Sequence, residues 1–160
     1  MDLLLWLLGD VQSVQARVAT LLHKIETEDT ALALLNFANG AVGVLQATTA
    51  AYPGYRRRLE ITGSEGTVVL EHDRLIAVDL RKPSGIDLSI GEGDRNSSPS
   101  SPVVSDTRGH QSAIEDFIRA IEEDGMPECD GTGGRRSVAL VEAIYRASRS
   151  AQNHLHSAEG

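Results

Sequence analysis

His110 is the titratable side chain placed best for chemistry. It falls in the first turn of an apolar-periodic segment, on the same stripe as Ile114, where an imidazole facing a cleft can exchange a proton near neutral pH. A histidine at the edge of an apolar stripe also serves as a packed side chain with one hydrogen bond, and spacing alone leaves both readings open. Arg56, Arg57 and Arg58 follow Tyr52-Pro53-Gly54 and Tyr55. Guanidinium forks beside a Pro-Gly turn suit an acidic substrate, but arginines solvated at a strand edge are the simpler reading. The run from Gly131 to Arg136, GTGGRR, precedes a helical pattern and presents amides to an anion. It follows no strand, so a plain N-cap near Thr132 is the simpler use.

The remaining chemistry is conspicuous by its gaps. The histidines at 23, 72, 110, 154 and 156 form no HExxH pattern or Cys/His cluster, so no metal site is expected. No strand–GxGxxG–helix unit or Walker loop occurs among the 15 glycines, and no Ser-His-Asp or Cys-His set can be proposed. Glu122-Glu123 lies on the wet side of a helix. The chain therefore holds no complete catalytic set and is expected to bind no cofactor alone.

These residues need elements to place them. MDLLLWLLGD reads as a short buried helix ending at Gly9, and its abrupt start suggests that something upstream is missing. Residues 12–22 alternate as a strand. Asn39-Gly40 joins two apolar strands and suits a two-residue hairpin turn; strands so uniformly apolar should be central, or covered on both faces. After the Tyr52-Pro53-Gly54 break, the segments from Arg56 to Leu80 read as an antiparallel meander. Residues 91–106, rich in Gly, Ser and Pro, read as a flexible surface loop. Ile114, Phe117, Ile118 and Ile121 mark one amphipathic helix, with Asp116, Arg119 and Glu123 facing water; Leu140, Ile144, Ala147 and Ala151 mark a second, and 152–160 should fray. The expected fold is α+β in one domain over 1–160: an open antiparallel or mixed sheet of about six strands, with both long helices on one face. The other face is left for an oligomer, such as a dimer.

Composition narrows the partners. A formal charge of -8 repels nucleic acid and anionic membranes, and a single cysteine, Cys129, fits a cytoplasmic protein.

The blocks DLLLWLLGD, TEDTALALLNFANGAVGVLQAT, RRLEITGSEGTVVL, GHQSAIEDFIRAI and GRRSVALVEAIYRASRSA occur in an order that resembles the C-terminal domain of the Gfo/Idh/MocA oxidoreductases, from Asp2 to about Ala151. The resemblance implies an enzyme whose N-terminal Rossmann domain binds NAD or NADP, while this part supplies substrate and subunit contacts. The family's active-site lysine and histidine would lie before Met1. A small polar substrate, a sugar or polyol, is implied, with Asp2, Tyr52, Tyr55, Arg56 and His110 as substrate-side residues and the open sheet face as the subunit contact. The expected protein is a truncated or partial dehydrogenase-like chain; the alternative is a free-standing, non-catalytic dimeric binding or scaffold module.

Overall fold

The structure is a computed structural model that describes residues 1–71, 74–82 and 108–157, with side chains described from 109 to 151 in the last stretch. Helix α1 (Asp2–Leu8) is followed by strands β1 (Val11–Ala19), β2 (Thr30–Phe37), β3 (Val42–Thr48), β4 (Arg58–Gly63), β5 (Gly66–Glu71) and β6 (Arg74–Leu80). Helices α2 (Arg108–Glu122) and α3 (Gly131–Ser157) complete the chain. The expected loop at 91–106 lies outside the described residues. Helix α3 runs through Ser157.

The six strands occur, and every pairing is antiparallel, but they form two sheets of order β1-β2-β3 and β4-β5-β6 rather than one. The residues between β3 and β4 explain the break. Pro53 has no amide to give a ladder, and Gly54, at φ 86, turns the backbone off an extended path. The chain divides into two compact units, Met1–Ala50 with Val103–Gly160, and Ala51–Pro102.

In the first unit, period-2 alternation in β2 sends Ala33, Leu35 and Phe37 to one face, where they meet Leu5 of α1 and Leu140 and Ile144 of α3. Burying each large apolar side chain contributes about 1.5–3 kcal/mol. Helix α1 ends at Gly9, whose φ of 82 suits glycine and whose amide closes on the Leu5 carbonyl. The β2–β3 connection is one residue longer than Asn39-Gly40 suggested. The Phe37 amide donates to the Ala41 carbonyl and the Gly40 amide to the Phe37 carbonyl, with Gly40 at φ 86. This is a three-residue loop of a type I turn followed by a left-handed glycine. Asn39 is engaged elsewhere, its side chain bonding the Leu8 carbonyl and the Ala41 amide.

The hairpin is buried on one face only, with β2 central in its sheet and β3 at the edge, and the two helices do not share the covering expected of both. Helix α3 lies along β1, and the Ser148 hydroxyl takes the Val18 amide at 2.9 Å. Among the described residues α2 buries only Ala120, while Ile114, Phe117, Ile118 and Ile121 stay largely exposed. Its folded-back side is instead the polar one. Asp116 accepts from Arg119 and from the Glu128 amide, and the Gly125 amide closes on the Ala120 carbonyl, so the turn after α2 folds back on the side away from the apolar stripe.

In the second unit β5 is central, with Val69 buried. Gly66 opens β5 because a Cβ there would sit 2.2 Å from the Asp79 carbonyl oxygen.

Candidate functional site

Three features of the first unit can take part in recognition. The first is the uncovered face of the β1–β3 sheet. Register places Leu34 beside Val44 and Gln15, and Leu32 beside Gln46 and Arg17. Leu32, Leu34, Val42 and Val44 are exposed together there, bordered by Ser13 and Asn36, which are hydrogen-bonded to each other. None of these residues is a carboxylate, although the chain has 23. A contiguous apolar patch without charge repulsion is the surface chemistry of an association site.

The second feature is a groove between β1 and α3, lined by Leu5, Val11, Val14 and Leu140 and by the pair Asp10–Arg136. The Arg136 Nε and Nη2 both donate to Asp10 Oδ1, at 2.9 and 2.7 Å. Helix α3 begins at Gly131 and is capped by Asp130, whose Oδ1 accepts from the Gly133 amide at 2.8 Å. The N-cap is thus Asp130 rather than Thr132. An aspartate three residues before a free amide serves as well as threonine, and its charge also suits the helix dipole.

The third feature was not visible in the sequence. Asp29 is buried at the end of the β1–β2 connection, and its carboxylate accepts from the amides of Leu21, Leu22 and His23 at 2.7–3.1 Å. The Thr30 hydroxyl donates to it as well, so in the Thr48–Thr30 contact Thr48 is the donor. The His23 amide, followed by those of Leu21 and Leu22, holds this carboxyl far below the usual range. Nearby, the Tyr145 hydroxyl donates to Glu28 Oε1, and that bond raises the phenol above its ordinary value.

The residues expected to form a substrate site are distributed between the two units. In the first, Asp2 opens α1 and accepts from the Ser137 hydroxyl at 3.2 Å, which ties it to α3. His110 is exposed in the first turn of α2, with no hydrogen bond among the described residues. In the second, Tyr52 and Tyr55 are 97% and 84% exposed, Arg56 lies beside them, and Arg58 bridges Glu60 and Glu71. Two nearly bare aromatic rings next to guanidinium groups can stack on a flat ligand and pair with an anion.

Residues 1–69 match the GFO/IDH/MocA C-terminal domain. Those residues belong to the Gfo/Idh/MocA C-terminal domain family. Similarity continues beyond them. Inositol 2-dehydrogenase of Rhizobium meliloti is 29% identical over 91% of this chain, and D-apiose dehydrogenase of Rhizobium rhizogenes is 25% identical over 92%. The chain spans 44% of the length of each. Among solved structures, the WlbA dehydrogenase from Bordetella pertussis, in complex with NADH and UDP-GlcNAcA, superimposes with a TM-score of 0.78 at 35% identity. That match covers 94% of this chain and 43% of the Bordetella chain. The α+β fold read from the sequence is therefore a Gfo/Idh/MocA-type fold, with its strands in two three-stranded sheets. Among the described residues no helix is long and apolar enough to cross a membrane.

Proposed function

We propose that this chain is the substrate-side and subunit-contact part of an NAD(P)-dependent sugar or polyol dehydrogenase, with the nicotinamide cofactor held by a Rossmann domain outside these residues. One observation carries the reading. The match to dehydrogenases extends over nearly the whole chain but less than half of theirs, and this sequence has no strand–GxGxxG–helix unit to cradle a pyrophosphate. In this reading Asp2 borders the reaction centre, fixed by Ser137. Tyr52, Tyr55, Arg56 and His110 are each candidate substrate contacts. The carboxylate-free sheet face meets a second copy, giving a dimer or higher oligomer, and a cytoplasmic setting fits the unpaired Cys129.

A second reading of the substrate is favoured by the loop at 52–56. Exposed tyrosines beside arginines suit a nucleoside diphosphate better than a free polyol, and the Bordetella enzyme holds a UDP-sugar acid. A free-standing dimeric scaffold is the alternative if no catalytic partner exists.

The test is a chimera that joins this chain to the dinucleotide-binding part of the Bordetella enzyme. The expected result is NADH production with a sugar, polyol or UDP-sugar substrate, lost with Asp2→Ala and weakened roughly tenfold in KM by Arg56→Ala, about 1.4 kcal/mol. A folded chimera that binds NADH but turns over none of the three substrate classes would contradict the proposal.

A further inference from the structure

Three properties coincide in the groove between β1 and α3, which encloses about 510 Å³. The first is an open sheet edge. β1 is an outer strand of its sheet, and its register with β2 is unbroken from Ser13 to Ala19. Val18 gives its amide to Ser148 of α3 rather than to β2, and the direction of peptide groups alternates along a strand, so Val14 and Ala16 also turn theirs away from β2. These outward groups have no partner among the described residues. The second property is charge. Arg136 and Arg146 line the groove against one carboxylate, Asp10, so it is positive on a chain whose formal charge is -8. Arg136 meets Asp10 through Nε and Nη2, Arg146 meets Glu142 loosely at 3.8 Å, and both guanidinium groups stay open to solvent. The third is spacing. Ten helical residues set the two arginines roughly 15 Å apart along α3, and between them the groove is lined by the small side chains of Ala139 and Ala143. In an extended chain, residues four apart point the same way and span roughly 13 Å.

We propose that the edge of β1 receives an extended acidic segment of a partner protein as a fourth strand. Its backbone bonds the peptide groups of Val14 and Ala16, and two carboxylates four residues apart settle on Arg136 and Arg146. Main-chain bonds supply the affinity of such an added strand, and the side chains that alternate along it supply the choice of partner. Charge complementarity selects an acidic occupant, because a guanidinium with free donors takes a carboxylate in a charge-assisted bond. A second copy joined edge to edge brings the same arginines against each other, which disfavours self-pairing here. The bulge between Val11 and Ser13 and the Ser148 hydroxyl on Val18 bound the open stretch, so the added strand is short. This site goes beyond the dehydrogenase reading and does not depend on which substrate that reading takes.

Fluorescence anisotropy with a labelled peptide, acetyl-Thr-Glu-Val-Thr-Val-Glu-Thr-amide, titrated with the full chain tests this. Two control peptides accompany it, one with lysine for both glutamates and one with two prolines for the central Val-Thr. The expected result is saturable binding of the first peptide with a Kd below about 100 μM, and none of either control. Arg146→Glu should raise that Kd at least tenfold, as should Ala139→Glu, which places a carboxylate on an exposed helical position inside the groove; circular dichroism checks that both variants fold. Hydrogen exchange at the Val14 and Ala16 amides should slow at least tenfold when the peptide saturates the chain. A proline peptide that binds as tightly as the first shows plain charge attraction and overturns the added strand. Affinity unchanged in both folded variants overturns the site, and so does the absence of saturable binding.

Discussion

Helices α3 and α2 belong to the same unit and both present an apolar stripe, yet among the described residues only that of α3 is covered. Helix α3 sets Leu140 and Ile144 into the core and uses Ser148 to satisfy an amide of β1, whereas α2 leaves Ile114, Phe117, Ile118 and Ile121 in solvent. The periodicity of a stripe tells that a helix has a partner surface; it does not tell whether that surface lies in the same chain. In α2 the turn that follows is held by Asp116, and among the described residues the stripe is left uncovered.

Four substitutions test that contrast. Leu140→Ala should cost about 2–5 kcal/mol in urea unfolding, because α3 cannot close the space left in the core. A loss below about 1 kcal/mol would mean that α3 is as loosely held as α2. Ser148→Ala should cost about 1–3 kcal/mol by leaving the buried Val18 amide without its acceptor, which hydrogen exchange at that amide would register directly. Tyr145→Phe should lower the melting temperature at neutral pH by a smaller amount. Its folded-state phenol is raised, so the hydroxyl's contribution is whole below the unfolded value of about 10 and is lost as pH rises through the folded value. The difference between variant and parent should therefore shrink in alkaline melts, and a constant difference would show that Glu28 is not its source. Phe117→Ser on α2 should change stability by no more than about 0.5 kcal/mol in the same assay. A larger loss would show that α2 is packed in the free chain.

Much of the fold was legible in the residues. The helix ending at Gly9, the six strands, the Asn39-Gly40 connection and the two amphipathic helices follow from period, glycine placement and breakers, and each lies within a few residues of its expected bounds. What escaped was which elements meet. Six strands read as one sheet because alternation carries no information about the next neighbour, and Pro53-Gly54 had to be weighed as a sheet boundary rather than a turn. Asp29 escaped for a different reason. Its partners lie six to eight residues back, a loop-closing bond between a side chain and amides that no short motif encodes; the one signal was a carboxylate immediately before an apolar strand. Of the substrate-side residues, Asp2 had a visible place at the head of α1, while its link to Ser137 spans most of the chain. Tyr52 and Tyr55 follow from the family resemblance alone, and only the structure shows how bare their rings are.

The account turns on the cofactor belonging to residues outside this chain, and calorimetric titration of NADH into the purified protein measures that most directly. No saturable heat is predicted for the chain alone, against clear binding by the chimera that carries a dinucleotide-binding domain. Saturable micromolar binding of NADH by these 160 residues would contradict it.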